Sequence, residues 1–443
     1  MEKKDLKPAA LFQYFEEICQ VPRPSKHEEK IIAYLKTFGE KHQLETKIDE
    51  AGNVLIKKPA TKGMEDCKTV VLQSHIDMVC EKNNDVEHDF LTDPIQTVID
   101  GEWLRAKGTT LGADNGIGVA TQLAVLTDDT LKHGPIECLF TVDEETGLTG
   151  AFALKEGFIS GDILLNLDSE DEGELFIGCA GGVDSVGEFT YTEVPVPADY
   201  FTCRITVKGL KGGHSGGDIH LGRGNANKIL NRFLMQSFER YDLCLCQIDG
   251  GNLRNAIARE ASALIAIPAA HKHDIRVDLN LFAADVANEY AVADPDLELI
   301  LESEAYDGKA IDKDTTKRLL QTIYACPHGV FAMSQDMPGL VETSTNLASV
   351  KMQAGNKIVL GTSQRSSIES AKQNIANMVR IVFEMGGAKV SFVDGYPGWK
   401  PNPKSEILEV AVASYKRLFG TDAKVMAIHA GLECGLFLDK YPS

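Results

Sequence analysis

Apolar residues recur at helical spacing from Leu11 to Phe38, and Pro22-Arg23-Pro24-Ser25 interrupts the run. The pattern predicts two helices. Ser25 is the expected N-cap of the second, with Glu28 three residues on as its capping-box partner. Stretches 53–57, 69–74, 136–142 and 162–167 read as strands, and 117–126 reads as a helix after a glycine-rich turn. Strands alternating with helices predict an α/β fold, in which ligands gather at the carboxyl ends of strands.

Two glycine-bearing stretches, Gly178-Cys179-Ala180-Gly181-Gly182 and Asp394-Gly395-Tyr396-Pro397-Gly398, bracket a segment with its own alternation. It holds a strand at 201–208, a helix at 225–238, strands at 347–352 and 357–362, and a helix at 368–384. Two similar halves are one reading of that order. The expected organisation is therefore a first domain opening at 1–186, an inserted second domain at 187–396, and a return to the first domain at 397–443.

Composition narrows the function classes. A chain of 443 residues with 43% hydrophobic and 25% charged residues can bury a substantial core. Its 45 basic and 65 acidic residues leave a formal charge of −20, which argues against nucleic acid or an anionic membrane as a partner. The opening Met1-Glu2-Lys3-Lys4-Asp5 lacks the apolar core of a signal peptide, and no apolar run is long enough to span a bilayer. The ten cysteines form no CxxC pair, and Cys138 and Cys203 sit inside apolar runs. Reduced, buried thiols, a cytoplasmic location and no disulfide framework are the expectation.

The chemistry lies in four short clusters: Ser74-His75-Ile76-Asp77, Gly112-Ala113-Asp114-Asn115-Gly116, Asp143-Glu144-Glu145 and Leu167-Asp168. Each has an ordinary reading by itself. Asp114 suits turn chemistry, Glu144-Glu145 a solvated turn, and Asp168 a loop cap. Together, at the ends of strand-like runs, they are what a core avoids, because buried charge is costly unless it is paired or binds a metal. A pair of hydrolytic metal ions needs a bridging carboxylate, terminal nitrogen and oxygen ligands, and a separate carboxylate to take a proton from water.

The runs Ser74-His75-Ile76-Asp77, Gly108-Thr109-Thr110-Leu111-Gly112-Ala113-Asp114-Asn115-Gly116 and Asp143-Glu144-Glu145-Thr146-Gly147 resemble signatures of the M20 metallopeptidases. Gly212-Gly213-His214-Ser215-Gly216-Gly217-Asp218 is similar to the corresponding run of the aminoacyl-histidine dipeptidases within that family. The resemblance implies a two-domain zinc peptidase with a mixed-sheet catalytic domain and an inserted α/β lid domain. It implies two divalent metal ions per site, zinc foremost, with manganese or cobalt also suited to mixed nitrogen and oxygen ligands. His75 and Asp168 would hold the first ion, Asp114 would bridge, and Glu145 would hold the second. Glu144 would be the general base, and Asp77 would orient the His75 ring.

In the lid, His214 would stabilise the oxyanion, in related peptidases often at the metals of a partner subunit, which implies a homodimer. Asn255 and Arg365 match substrate-binding lid positions, and the planar fork of Arg365 suits the free carboxylate of a small peptide substrate. The family pattern closes with a further His-Ser-Pro-Asp-Glu-like segment, whereas this chain stops at Tyr441-Pro442-Ser443. A weak second metal site is therefore expected, and His429 is not assigned as a ligand. The implied activity is hydrolysis of short peptides, especially Xaa-His dipeptides such as β-alanyl-histidine. Two alternatives stay open: an M20 deacylase or carboxypeptidase acting on another amide, and a non-catalytic peptide-binding protein.

Overall fold

The computed structural model describes residues 3–441. It divides into two compact units, one formed by 3–176, 404–425 and 436–441, the other by 177–403 and 426–435.

The first unit is built on a five-stranded sheet. In chain order its strands are β1 (Glu45–Ile48), β2 (Val54–Lys58), β3 (Val70–His75), β4 (Ile136–Thr141) and β5 (Ile163–Asn166), and in space the order is β1-β2-β4-β3-β5. The β1, β2 and β4 pairings are antiparallel, while β3 runs parallel to both β4 and β5. The sheet is mixed. Helices α1 (Ala9–Cys19), α2 (Glu29–Lys41) and α3 (Ala113–Thr127) supply Phe15, Ile18, Ile31, Leu35, Val119 and Leu123 to a core shared with Val54, Ile56, Cys138 and Phe140. Alternate strand residues Leu55 and Leu139 point to the opposite face and are also fully buried. A sheet covered on both faces explains why its strands read as near-continuous apolar runs.

Register fixes where the chemistry falls. His75 lies opposite Thr141, and Gln73 lies opposite Asn166, so β3, β4 and β5 end side by side. Residues 143–145 and Asp168 follow immediately after β4 and β5.

The second unit carries a nine-stranded sheet. Its order is Glu298–Ser303, Tyr200–Lys208, Ala261–Pro268, Cys244–Gly250, Val341–Gln353, Lys357–Ser366, Gly181–Thr190 and Lys389–Tyr396, with Gly329–Met333 paired to Val341–Gln353. All of its neighbouring pairs are antiparallel. Cys203, Ile205 and Val207 alternate with more exposed residues and face four helices, Ala226–Tyr241, Asp274–Glu289, Lys313–Ala325 and Glu369–Met385. The buried thiol of Cys203 is pushed up to about 12 by that burial.

One expectation at α2 changes. Its N-cap is Glu28, and Ser25 makes no capping bond to it. The Ser25 hydroxyl donates instead to Asp77 (2.8 Å), and the Glu28 carboxylate accepts from the Lys26 and Asp143 backbone N–H groups. A tertiary partner has taken both polar groups of the expected capping box.

Candidate active site

His75 ends β3 and is 1% exposed. Its Nδ1 lies 3.1 Å from Oδ1 of the fully buried Asp77, and its Nε2 lies 3.0 Å from Asp114 Oδ1 and 3.4 Å from Asp168 Oδ1. A carboxylate can only accept, so Asp77 places a proton on Nδ1. The Nε2 lone pair of the neutral ring then faces two further carboxylates, an arrangement that calls for a cation. Without a metal, that cation is a proton: burial opposes it, but hydrogen bonds to Asp114, Asp168 and Asp77 prevail and raise the His75 ring far above its usual range.

The neighbours show the same excess of negative charge. Asp114 is held low, chiefly by its bond to His75, while burial pushes Asp168 up. Glu145 is also raised, by burial first and then by the charge of Asp114.

These donors fit a divalent metal. Nitrogen and oxygen ligands about 2.0–2.1 Å from a tetrahedral ion lie roughly 3.3 Å from one another. The separations at His75 are 3.0 and 3.4 Å. His75, Asp114 and Asp168 form one group of potential ligands, and His75, Glu144 and Glu145 form another. Imidazole and carboxylate together suit several divalent ions.

Local backbone structure aims each side chain. Asp114 stands at the start of α3 with φ −80° and ψ 111°, outside the helical region. Gly112, two residues earlier, has φ +70° and packs so closely that a Cβ would come 2.5 Å from the Arg23 guanidinium and 2.7 Å from Met78 Sδ. After β4, Asp143 adopts a left-handed conformation with φ 50°, starting the short helix Glu144–Gly147. The N–H groups of Glu144 and Glu145 donate to Asp77, at 3.1 and 3.3 Å. Asp77 thus joins the His75 ring to the turn bearing both glutamates.

Behind this group lies a second layer, in which the sequence pointed to Asp77 but not to Glu28 or Arg23 as partners of the site. Glu28, Asp77 and Asp143 form a third cluster of buried carboxylates. Arg23, 3% exposed, donates to the carbonyls of Ile76 (3.0 Å), Asp77 (2.8 Å) and Gly112. The Pro22-Arg23-Pro24-Ser25 run read as a break between helices with Ser25 as a cap, because nothing local marks Arg23 as a tertiary donor.

In the second unit, His214 Nδ1 accepts from the Gly216 (3.3 Å) and Gly217 (3.0 Å) N–H groups. That leaves its proton on Nε2 and makes the ring a neutral donor. Burial, then the Arg365 charge, lowers its pKa in keeping with this state. Gly213 has φ +136°, and a Cβ at Gly216 would meet the His429 carbonyl at 2.0 Å, so this turn requires its glycines.

Arg365 lies in the strand Lys357–Ser366, is 6% exposed, and donates from Nη1 to the Tyr396 hydroxyl at 2.8 Å. Its Nε has no hydrogen-bond partner. His429 Nε2 lies 2.7 Å from the Ser344 hydroxyl, and its pKa is pushed down to about 3 by burial, Arg365 and His214. Asn255 is exposed, and its carbonyl accepts from Ser215 N–H at 2.8 Å, placing it beside the His214 turn. A buried guanidinium near two uncharged histidines is suited to an anion.

The sequence matches the profile of peptidase family M20/M25/M40 over residues 71–443, and the chain belongs to that family of hydrolases. It is 46% identical over 442 residues to the cytosol non-specific dipeptidase of Escherichia coli strain K12, covering 100% of this chain and 91% of the relative. The crystal structure of aminoacylhistidine dipeptidase from Vibrio alginolyticus superposes with a TM-score of 0.93 at 48% identity, over 100% of this chain and 90% of that one. Aminopeptidase PepT from Bacillus cereus shares the fold at a TM-score of 0.58 and 18% identity, over 97% and 87% of the two chains.

Proposed function

We propose that the chain is a metal-dependent dipeptidase acting on short peptides, especially Xaa-His dipeptides such as β-alanyl-histidine. The observation that carries this reading is the His75, Asp114 and Asp168 cluster beside Glu144 and Glu145 at the ends of neighbouring strands. The names of the E. coli and Vibrio relatives support the substrate class. His75, Asp114 and Asp168 would hold a first divalent ion, zinc foremost, and Asp114 with Glu145 a second. The second set has fewer donors among the described residues and would be the weaker. When bound, such ions supply Lewis acidity toward water and the peptide carbonyl.

In this reading Asp77 keeps the His75 proton on Nδ1. Glu144 takes a proton from the attacking water and returns it to the leaving amine nitrogen as the C–N bond breaks. His214 donates from Nε2–H to the carbonyl oxygen as negative charge develops there. Arg365, aided by Asn255, takes the free carboxylate. The first unit is then the catalytic domain and the second the lid domain, and the protein acts as a cytoplasmic homodimer. Light scattering that gives the mass of one chain would remove the dimer from this account.

Glu144→Gln is expected to keep fold and bound metal while kcat falls by roughly a thousandfold or more, the upper range for loss of a general base. Turnover within tenfold of the parent would exclude Glu144 as the base. A panel of Xaa-His dipeptides, N-acyl amino acids and longer peptides should show turnover concentrated on dipeptides. Preference for N-acyl amino acids would favour a deacylase, preference for longer peptides a carboxypeptidase, and peptide binding without turnover a non-catalytic protein.

A further inference from the structure

Residues 23–28 lie before the stretch that matches the family profile, yet they touch three of the loops bearing the candidate site. Arg23 binds the carbonyls of Ile76, Asp77 and Gly112, and Ser25 binds the Asp77 carboxylate. Glu28, 7% exposed, reaches the third loop: its Oε1 accepts from the Asp143 N–H at 3.0 Å and from the Lys26 N–H at 2.9 Å. Asp143 is the left-handed residue on which the chain turns into Glu144 and Glu145. That region is uncommon for a residue other than glycine, and Asp holds it where hydrogen bonds to its side chain and backbone support it. Those surroundings are Glu28 on the backbone, with the Thr146 and Thr149 hydroxyls on the Asp143 carboxylate.

A carboxylate is a costly acceptor at this place. Glu28, Asp77 and Asp143 each offer an oxygen within 4.8 Å of the others, and all three are buried. Like charges so close repel, so Glu28 is held there at a cost, and what it gives the turn is an acceptor oxygen at the reach of the Asp143 N–H. We propose that Glu28 is a positioning residue: it locks the left-handed turn at Asp143 and so fixes the directions of Glu144 and Glu145. This rests on the reading of Glu144 as the base, but the positioning itself has a readout independent of activity.

Three variants of the full chain decide the matter. Glu28→Asp keeps the charge but withdraws the acceptor by one methylene, Glu28→Ala removes it, and Glu28→Gln restores an oxygen at the original reach. In the Asp and Ala variants the backbone amides of 143–145 should exchange with solvent at least about tenfold faster than in the parent, and in the Gln variant close to the parent rate. On a dipeptide, Glu28→Asp should lose roughly a hundredfold in kcat with KM within about threefold, and Glu28→Gln should recover most of it. Unchanged exchange at 143–145 in both the Asp and Ala variants overturns the proposal. Faster exchange with kcat held within about threefold also overturns it, leaving Glu28 a structural residue. A parent protein that hydrolyses no peptide counts against the functional reading alone, and the exchange pattern then decides whether Glu28 positions the turn.

Discussion

At residue scale, the second unit stores a pH dependence in His429. Its ring is 6% exposed and bonded to Ser344, and burial, Arg365, His214 and His220 together depress its pKa to about 3. In the unfolded chain a histidine titrates near 6.5. Between those values the unfolded state binds the proton and the folded state does not. The stability due to neutral His429 is thus complete above pH 6.5 and declines as pH falls toward 3. From pH 7.5 to pH 5 the loss is about 2 kcal/mol for this one group. Urea unfolding at the two pH values should show that loss in the parent and a smaller one in His429→Gln. Equal losses in both proteins would mean that His429 is not held neutral. The sequence left His429 without a role, because its depressed pKa arises from burial first and then from Arg365 and His214, which lie far from it along the chain.

At the scale of elements, periodicity located what apolar burial drives and missed what polar burial drives. The apolar run 69–74 became β3, ending at His75, and the helix expected at 368–384 became Glu369–Met385. By contrast, only 347–352 of the strand Val341–Gln353 was legible. Its first half contains Thr343, Ser344, Thr345 and Asn346, polar yet almost fully buried, held by a ladder to Ser363, Gln364, Arg365 and Ser366. A strand whose inward residues are hydrogen-bonded rather than apolar gives no hydrophobic signal. The capping box at Ser25 and Glu28 failed for the complementary reason: its local pattern was present, but both side chains are bound elsewhere.

Asn225 shows a cap whose local and tertiary roles coincide. Its side-chain oxygen accepts from Asn227 (3.0 Å) and Lys228 (3.3 Å) at the start of the helix Ala226–Tyr241, and its amide donates to the Leu347 carbonyl (2.8 Å). Asn225→Ala should cost about 1 kcal/mol for the cap and a further ~1 kcal/mol or more for the buried carbonyl it leaves. Asn225→Ser should recover the cap portion only. Thermal unfolding that ranks the serine variant equal to the parent would show that the Leu347 contact carries no stability.

At the scale of the molecule, the polar groups divide between the units. His75, Asp114, Glu144, Glu145 and Asp168 belong to the first, while His214, Asn255, Arg365 and His429 belong to the second. The first unit therefore gathers carboxylates around one imidazole, in a chain whose formal charge is already −20. A divalent cation that binds the folded cluster relieves that repulsion and stabilises by mass action, about 2.7 kcal/mol when free ion is a hundred times its dissociation constant. If the His75 cluster holds the ion as proposed, the gain belongs to the first unit. Hydrogen exchange resolved along the chain, with and without zinc, should show added protection in β3, β4 and β5 and none in the nine-stranded sheet. Asp168→Asn should remove most of that protection, since it takes a charged donor from the His75 group. On the proposed assignment, with His75, Asp114 and Asp168 holding one ion and Asp114 with Glu145 the other among the described residues, zinc titration of the parent should find one tight site per chain. Protection spread equally over both units, or two sites of equal affinity, would contradict this assignment of ligands.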